Sequence, residues 1–198
     1  MSAADVEARG VYLDIKGLRD RPPVLLGIAV DDTFEQVVTD AVFGDAALAK
    51  DLRVNAFDDE IRALMARCAR ESRRIFAFSS HLLDVVDHYT PAATAFSGLF
   101  EDAQEMALLC HEKANRRDTA AWSLAEHLQD LGQPQPKHLG AKHTASRLRY
   151  VELQLRKHGA YTAISGGAKA KWTKVLQQNR SDTCGTRAIV VRAARELG

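Results

Sequence analysis

Val11-Tyr12-Leu13-Asp14-Ile15-Lys16-Gly17 is the stretch whose residue types invite chemistry. Alternation sends Val11, Leu13 and Ile15 to one face of a strand and Tyr12, Asp14 and Lys16 to the other. An Asp in mid-strand runs against β-propensity, so either a solvated edge strand or a functional site explains it. Asp14 and Lys16 stand about 7 Å apart along the backbone, a gap their side chains can close. A second cluster, His81, Asp84, Asp87 and His88, carries metal-ligand types. Four ligands crowded on one helix rarely enclose an ion alone, however. No Gly-x-Ser-x-Gly elbow is present, which argues against a serine hydrolase of that kind.

The elements that must position these groups follow from periodicity. Val24–Val30 is a nearly continuous apolar run that reads as a strand buried on both faces, and Thr33–Thr39 reads as a third strand. Leu18–Pro23 and Asp31-Asp32 are the turns, so the three strands form an antiparallel meander. Residues 40–55 read as a loop with a short helix at Ala46–Leu52. A helix from Phe57 leads into a short strand at Ile75–Phe78, and a strand reached through a helix lies parallel to an existing one. From Ser79 a helix runs to about Tyr89. Ala92–Lys113 reads as helical with a short fifth strand near Ser97-Gly98-Leu99. After a polar break at Asn115–Asp118, Ser123 and Glu126 form a capping box for Leu124–Leu131. Gln133–Gly140 is a loop, Thr144–Lys157 a basic amphipathic helix, and Gly159, Gly166 and Gly167 mark a flexible connection. Ala168–Gln178 and Asp182–Leu197 read as two helices separated around Asn179–Ser181.

The 198 residues suffice for one well-buried core. The reading is a single α/β domain over 1–198, with a sheet core over about 10–105 and a helical part over about 106–198. Cys68, Cys110 and Cys184 are scattered, which argues against a disulfide framework or a zinc site and reads as small apolar core residues in a reducing compartment. Met1–Gly10 has no h-region and the longest apolar run is too short to cross a bilayer, so a cytoplasmic protein without membrane contact is expected. The net charge of +1 conceals a division. Residues 1–132 carry 14 basic and 23 acidic side chains, a balance of −9, whereas residues 133–198 carry 13 and 3, a balance of +10. Such a tail suits a surface that receives a polyanion.

Tyr12-Leu13-Asp14-Ile15-Lys16-Gly17-Leu18 followed by Val24–Val30 resembles the opening hairpin of ribonuclease H-like 3′–5′ exonucleases, closest to the YprB-type group of predicted nucleases. The resemblance implies a mixed sheet with an antiparallel meander plus parallel strands, flanked by helices. It also implies metal-dependent phosphodiester hydrolysis, with Mg2+ or Mn2+ held by four acidic residues of the DEDD type. In that family the first strand reads Asp-Ile-Glu; this chain keeps Asp14 and has Lys16 in place of the Glu. Phe76–Asp84 fits the second region, with Ser79 in the family's Asn position and Asp84 as the acid. Gln178-Asn179-Arg180-Ser181-Asp182 fits the third, with Asp182 as the acid, Asn179 kept, and Gln178 where many members have Tyr. Asp102 stands where related proteins carry an Asp after the fifth strand.

The resemblance thus implies catalytic Asp14, Lys16, Asp84 and Asp182, with metal on the three aspartates. Ser79, Asp102, Gln178 and Asn179 would stand behind them. Lys169, Lys171, Lys174 and Arg180, leading into Asp182, are the expected contacts to single-stranded nucleic acid. A lysine in the Glu position removes a ligand charge and adds a positive one, each worth on the order of 4 kcal/mol at ~4 Å and an effective dielectric of ~20. Two readings follow: a divergent nuclease with weakened catalysis, or an inactive nuclease fold that binds nucleic acid or a protein partner.

Overall fold

The computed structural model describes residues 2–114, 122–136, 138–139 and 143–198. Its centre is a six-stranded mixed sheet flanked by helices. The strands are β1 (Gly10–Lys16), β2 (Leu25–Val30), β3 (Thr33–Val38), β4 (Arg53–Val54), β5 (Arg74–Ala77) and β6 (Phe100–Asp102), in spatial order β4-β3-β2-β1-β5-β6. β1 pairs antiparallel with β2, Asp14 facing Gly27, and β2 pairs antiparallel with β3. β5 runs parallel to β1, and β6 parallel to β5. β1 is therefore central, which disposes of the solvated-edge explanation for Asp14.

The helices in chain order are α1 (Ala3–Arg9), α2 (Gly44–Leu48), α3 (Phe57–Glu71), α4 (His81–Tyr89), α5 (Ala93–Ser97), α6 (Ala103–Lys113), α7 (Leu124–Asp130), α8 (Thr144–His158) and α9 (Gly166–Leu197). Val11 and Leu13 bury into a core with Ile61, Leu64, Leu82 and Val86, so α3 and α4 cover one face of the sheet. Tyr12, Ala29 and Phe76 point to the other face, where Val190 and Ala194 of α9 meet them. The face that alternation marks as polar is thus roofed by α9.

Several boundaries differ from expectation. α1 begins with Ser2, whose side chain accepts from Asp5 N while Asp5 reaches back, a capping box legible in the sequence as Ser2-x-x-Asp5. The short helix expected at Ala46–Leu52 occupies Gly44–Leu48, and β4 was not foreseen. The two expected C-terminal helices are one, α9. Ser165 caps it by accepting from Ala168 N, so Gly166 and Gly167 are its first turn rather than a connector. The helix continues through Asn179–Ser181 because no proline interrupts it and Asn179 turns inward. Cys184 is exposed, unlike buried Cys68 and Cys110. The expected break at Asn115–Asp118 lies outside the described residues. Among the described residues no helix is long and apolar enough to cross a membrane.

Candidate functional site: a lysine between two carboxylates

Lys16 ends β1, and its side chain runs up into the layer between sheet and α9. Its Nζ donates to Asp14 at 3.0 Å and to Asp182 Oδ2 at 2.5 Å. The side chains of Lys16, Asp14 and Asp182 are 11, 19 and 8% exposed, so one ammonium is clasped by two carboxylates largely away from water. Asn179 Nδ2 donates to Asp14 Oδ2 at 2.7 Å and to the Asp14 carbonyl at 3.0 Å. Gln135 Nε2 donates to Asp182 Oδ1 at 2.5 Å. Every carboxylate oxygen of the pair has a donor, the condition under which buried charge is tolerated.

The surrounding elements hold this geometry. Gln36 of β3 donates from Nε2 to Asn179 Oδ1 at 2.7 Å and to the Leu176 carbonyl at 3.0 Å, which fixes the amide's orientation. Gly27 makes the close approach of α9 possible. A Cβ there would meet Asn179 Oδ1 and Thr183 Oγ1, each at 2.5 Å. An isolated glycine inside an apolar strand marks such an approach, and that signal was present in the sequence.

Electrostatics follow from burial. Desolvation pushes the Asp14 carboxyl up to about 6, with the Asp182 charge adding to it and Lys16 and Asn179 opposing. Burial pulls the Lys16 ammonium down, but the two carboxylates outweigh that pull, and its pKa is raised.

The other expected residues take different places. Asp84 does not join the pair. Leu82 and Val86 define the buried face of α4, which leaves Asp84, Asp87 and His88 exposed on its outer side. Among the described residues no group of three or more metal-ligating side chains is gathered. Asp102 caps α6, accepting from Gln104 N at 2.8 Å, and also accepts from Ser79 N at 3.2 Å. Ser79 has a φ of +82°, so Asp102 pins a strained turn at the end of β5. Gln178 faces away from the carboxylates; it accepts from Thr144 Oγ1 at 2.7 Å and from buried Arg147 at 3.4 Å. Arg147 in turn donates to the Leu139 and His138 carbonyls. Gln178 is therefore a bolt between α8, α9 and the 138–139 loop.

Of the basic residues, Lys169 donates to the Thr162 carbonyl and lies over Tyr161, while Lys171 lies over Tyr150 at 5.2 Å. Arg180 lies over Phe34 at 5.1 Å, and Lys174 is exposed. Part of the basic excess is met by acids from the rest of the chain: Arg187 pairs with Asp32 and Arg195 with Glu7. Reasoning from sequence missed Gln135 and Gln36, which no motif distinguishes from other polar residues.

The donor set does not suit divalent ions. Two Mg2+ or Mn2+ ions need several converging oxygens, and here an ammonium already sits between the two carboxylates. No family model, curated protein or solved structure matches the chain.

Proposed function

We propose that the chain is a ribonuclease H-like domain whose cation position is filled by its own lysine, and that it binds single-stranded nucleic acid without hydrolysing it. The observation that carries this reading is the Lys16 ammonium between Asp14 and Asp182. The order β3-β2-β1-β5-β6, a meander followed by two parallel strands, supports the family resemblance. Asp14 on β1 and Asn179 and Asp182 on α9 lie together, which is compatible with the site the resemblance implies.

Catalysis by two metal ions needs a strongly negative pocket, and the clasp offers instead two carboxylates already satisfied by lysine and amides. Gln178 is bonded to α8 through Thr144 and Arg147 and faces away from the carboxylates. Binding is supported by two cation–aromatic pairs that reach the surface: half-buried Lys171 on Tyr150, which is 38% exposed, and exposed Arg180 on half-buried Phe34. Aromatic faces receive bases and cations receive phosphates, without sequence preference.

Titration of labelled single-stranded oligonucleotides, with a parallel cleavage assay in Mg2+ or Mn2+, tests this reading. Affinity should fall as salt rises, and Lys174→Ala and Arg180→Ala should each reduce the salt slope by about 0.7. The oligonucleotides should stay intact. Metal-dependent cleavage abolished by Asp14→Ala, or absence of binding at low salt, would overturn it.

A further inference from the structure

The hairpin of α8 and α9 carries a solvent-facing surface that the clasp does not use. The two helices run antiparallel: Thr144, at the start of α8, meets Gln178, and Gln154, near its end, meets Ser165 at the cap of α9. Leu148, Val151 and Leu155 bury one side of α8. Four-residue spacing therefore puts Arg149, Leu153 and Lys157 together on the opposite side. Tyr150 stands beside them, where the Lys171 ammonium of α9 lies over its ring at 5.2 Å. Leu153 is 62% exposed and Tyr150 38%. Two large side chains with apolar surface, one turn apart in water and flanked by cations, form an amphipathic patch.

Charge narrows the partner. From residue 133 to residue 181 the sequence holds one carboxylate, Glu152. It is 13% exposed and is held by Arg21 and Arg156. Of the acids on neighbouring segments, Asp40 pairs with Arg21, Asp45 accepts from Tyr161 N, and Asp20 stands beside Arg21 at the Glu152 flank. Arg149, Lys157 and Lys174 are exposed and make no ion pair or hydrogen bond among the described residues. The patch thus offers free cations to an anionic partner, with no loose carboxylate of its own helix pair to repel it.

We propose that single-stranded nucleic acid is received on this outer face of α8 and the adjoining turn of α9. Bases pack on the exposed surface of Tyr150 and Leu153, and phosphates meet Arg149, Lys157 and Lys174. The inference rests on the nucleic-acid reading and locates its interface on the solvent side of the hairpin, apart from the carboxylates beneath α9. A duplex hides the base faces that such side chains cover, whereas a single strand presents them. An acidic polypeptide would match the cations but leave stacking on Tyr150 unused.

Labelled single-stranded oligonucleotides, titrated at several salt concentrations into the parent and its variants, test the placement. Arg149→Ala and Lys157→Ala should each reduce the salt slope by about 0.7. Tyr150→Ala should weaken binding about fivefold or more with the slope unchanged, and Tyr150→Trp should retain the affinity. Arg62→Ala is the control, since Arg62 lies on α3 across the sheet and pairs there with Asp58 and Asp59; it should change nothing. Binding unaltered by the α8 substitutions, or lowered equally by Arg62→Ala, overturns this proposal alone. Poly-glutamate that displaces the strand as well as unlabelled oligonucleotide does overturns it in favour of an acidic protein segment. Absence of binding by the parent at low salt overturns the nucleic-acid reading and this proposal with it.

Discussion

Near the middle of α9, Lys16 gives its ammonium to two carboxylates whose four oxygens all have donors. Where α7 packs farther along that helix, His127 of α7 bonds His111 through one ring nitrogen and leaves the other buried and unpartnered. Both groups are titratable and both are removed from water. The difference teaches how the fold treats buried charge and buried polarity. A fully matched polar network has no vacancy for an ion, because any newcomer must displace an existing bond. An unmatched buried nitrogen instead carries a desolvation cost that no bond offsets.

The sharpest way to break that comparison is to empty the matched network. Lys16→Met leaves two carboxylates facing each other without their shared cation. It should cost about 3 kcal/mol, read as a lower urea midpoint at unchanged slope. His127→Phe, which loses one hydrogen bond and keeps the ring packing, should cost about 1 kcal/mol in the same measurement. Equal losses would deny the clasp its special standing.

Gly27→Ala tests whether the close approach of α9 is needed. Its Cβ would meet Asn179 Oδ1 at 2.5 Å, so α9 or the amide must shift. The expected cost is about 2 kcal/mol. A crystal structure of the variant should show the Asn179–Asp14 bond lengthened.

Acid separates the two groups by sign. The Asp14 pKa is raised to about 6, mainly by burial, so its contribution to stability is full below the unfolded value near 4 and is lost as pH rises through 6. The His127 pKa is lowered, so its contribution is present above the unfolded value near 6.5 and is lost as pH falls. Between pH 7 and pH 5 the parent should therefore gain about 1 kcal/mol relative to Asp14→Asn and lose stability relative to His127→Phe. Unfolding curves at the two pH values check both signs, and a shared sign would break the contrast.

The sequence made β1, β2, β3, α3 and β5 legible because their apolar periods are clean and their turns carry proline or aspartate. It also marked Asp14 and Lys16, since a charged pair in mid-strand is costly unless something faces it; Asn179 and Asp182 were singled out only by the family resemblance. The break expected within α9 was misplaced because Asn179, Arg180 and Ser181 look like a loop. Their polarity instead serves the inner and outer faces of a continuous helix. Asp84 was misassigned because the spacing from Ser79 was right while the buried face of α4, set by Leu82 and Val86, turns it outward. Gln36 and Gln135 were invisible, since their roles exist only once β3 and the 133–136 loop are brought against α9.

The central claim is that the Lys16 ammonium holds the place of a cation. Thermal unfolding of the parent and of Lys16→Glu, each with and without Mn2+, tests it most directly. The variant presents three carboxylates where the parent has two and an ammonium. Mn2+ should raise its midpoint by several degrees, and Asp14→Ala added to it should abolish the rise. The parent's midpoint should not move. A parent stabilised by Mn2+, or a Lys16→Glu chain indifferent to it, would contradict the account.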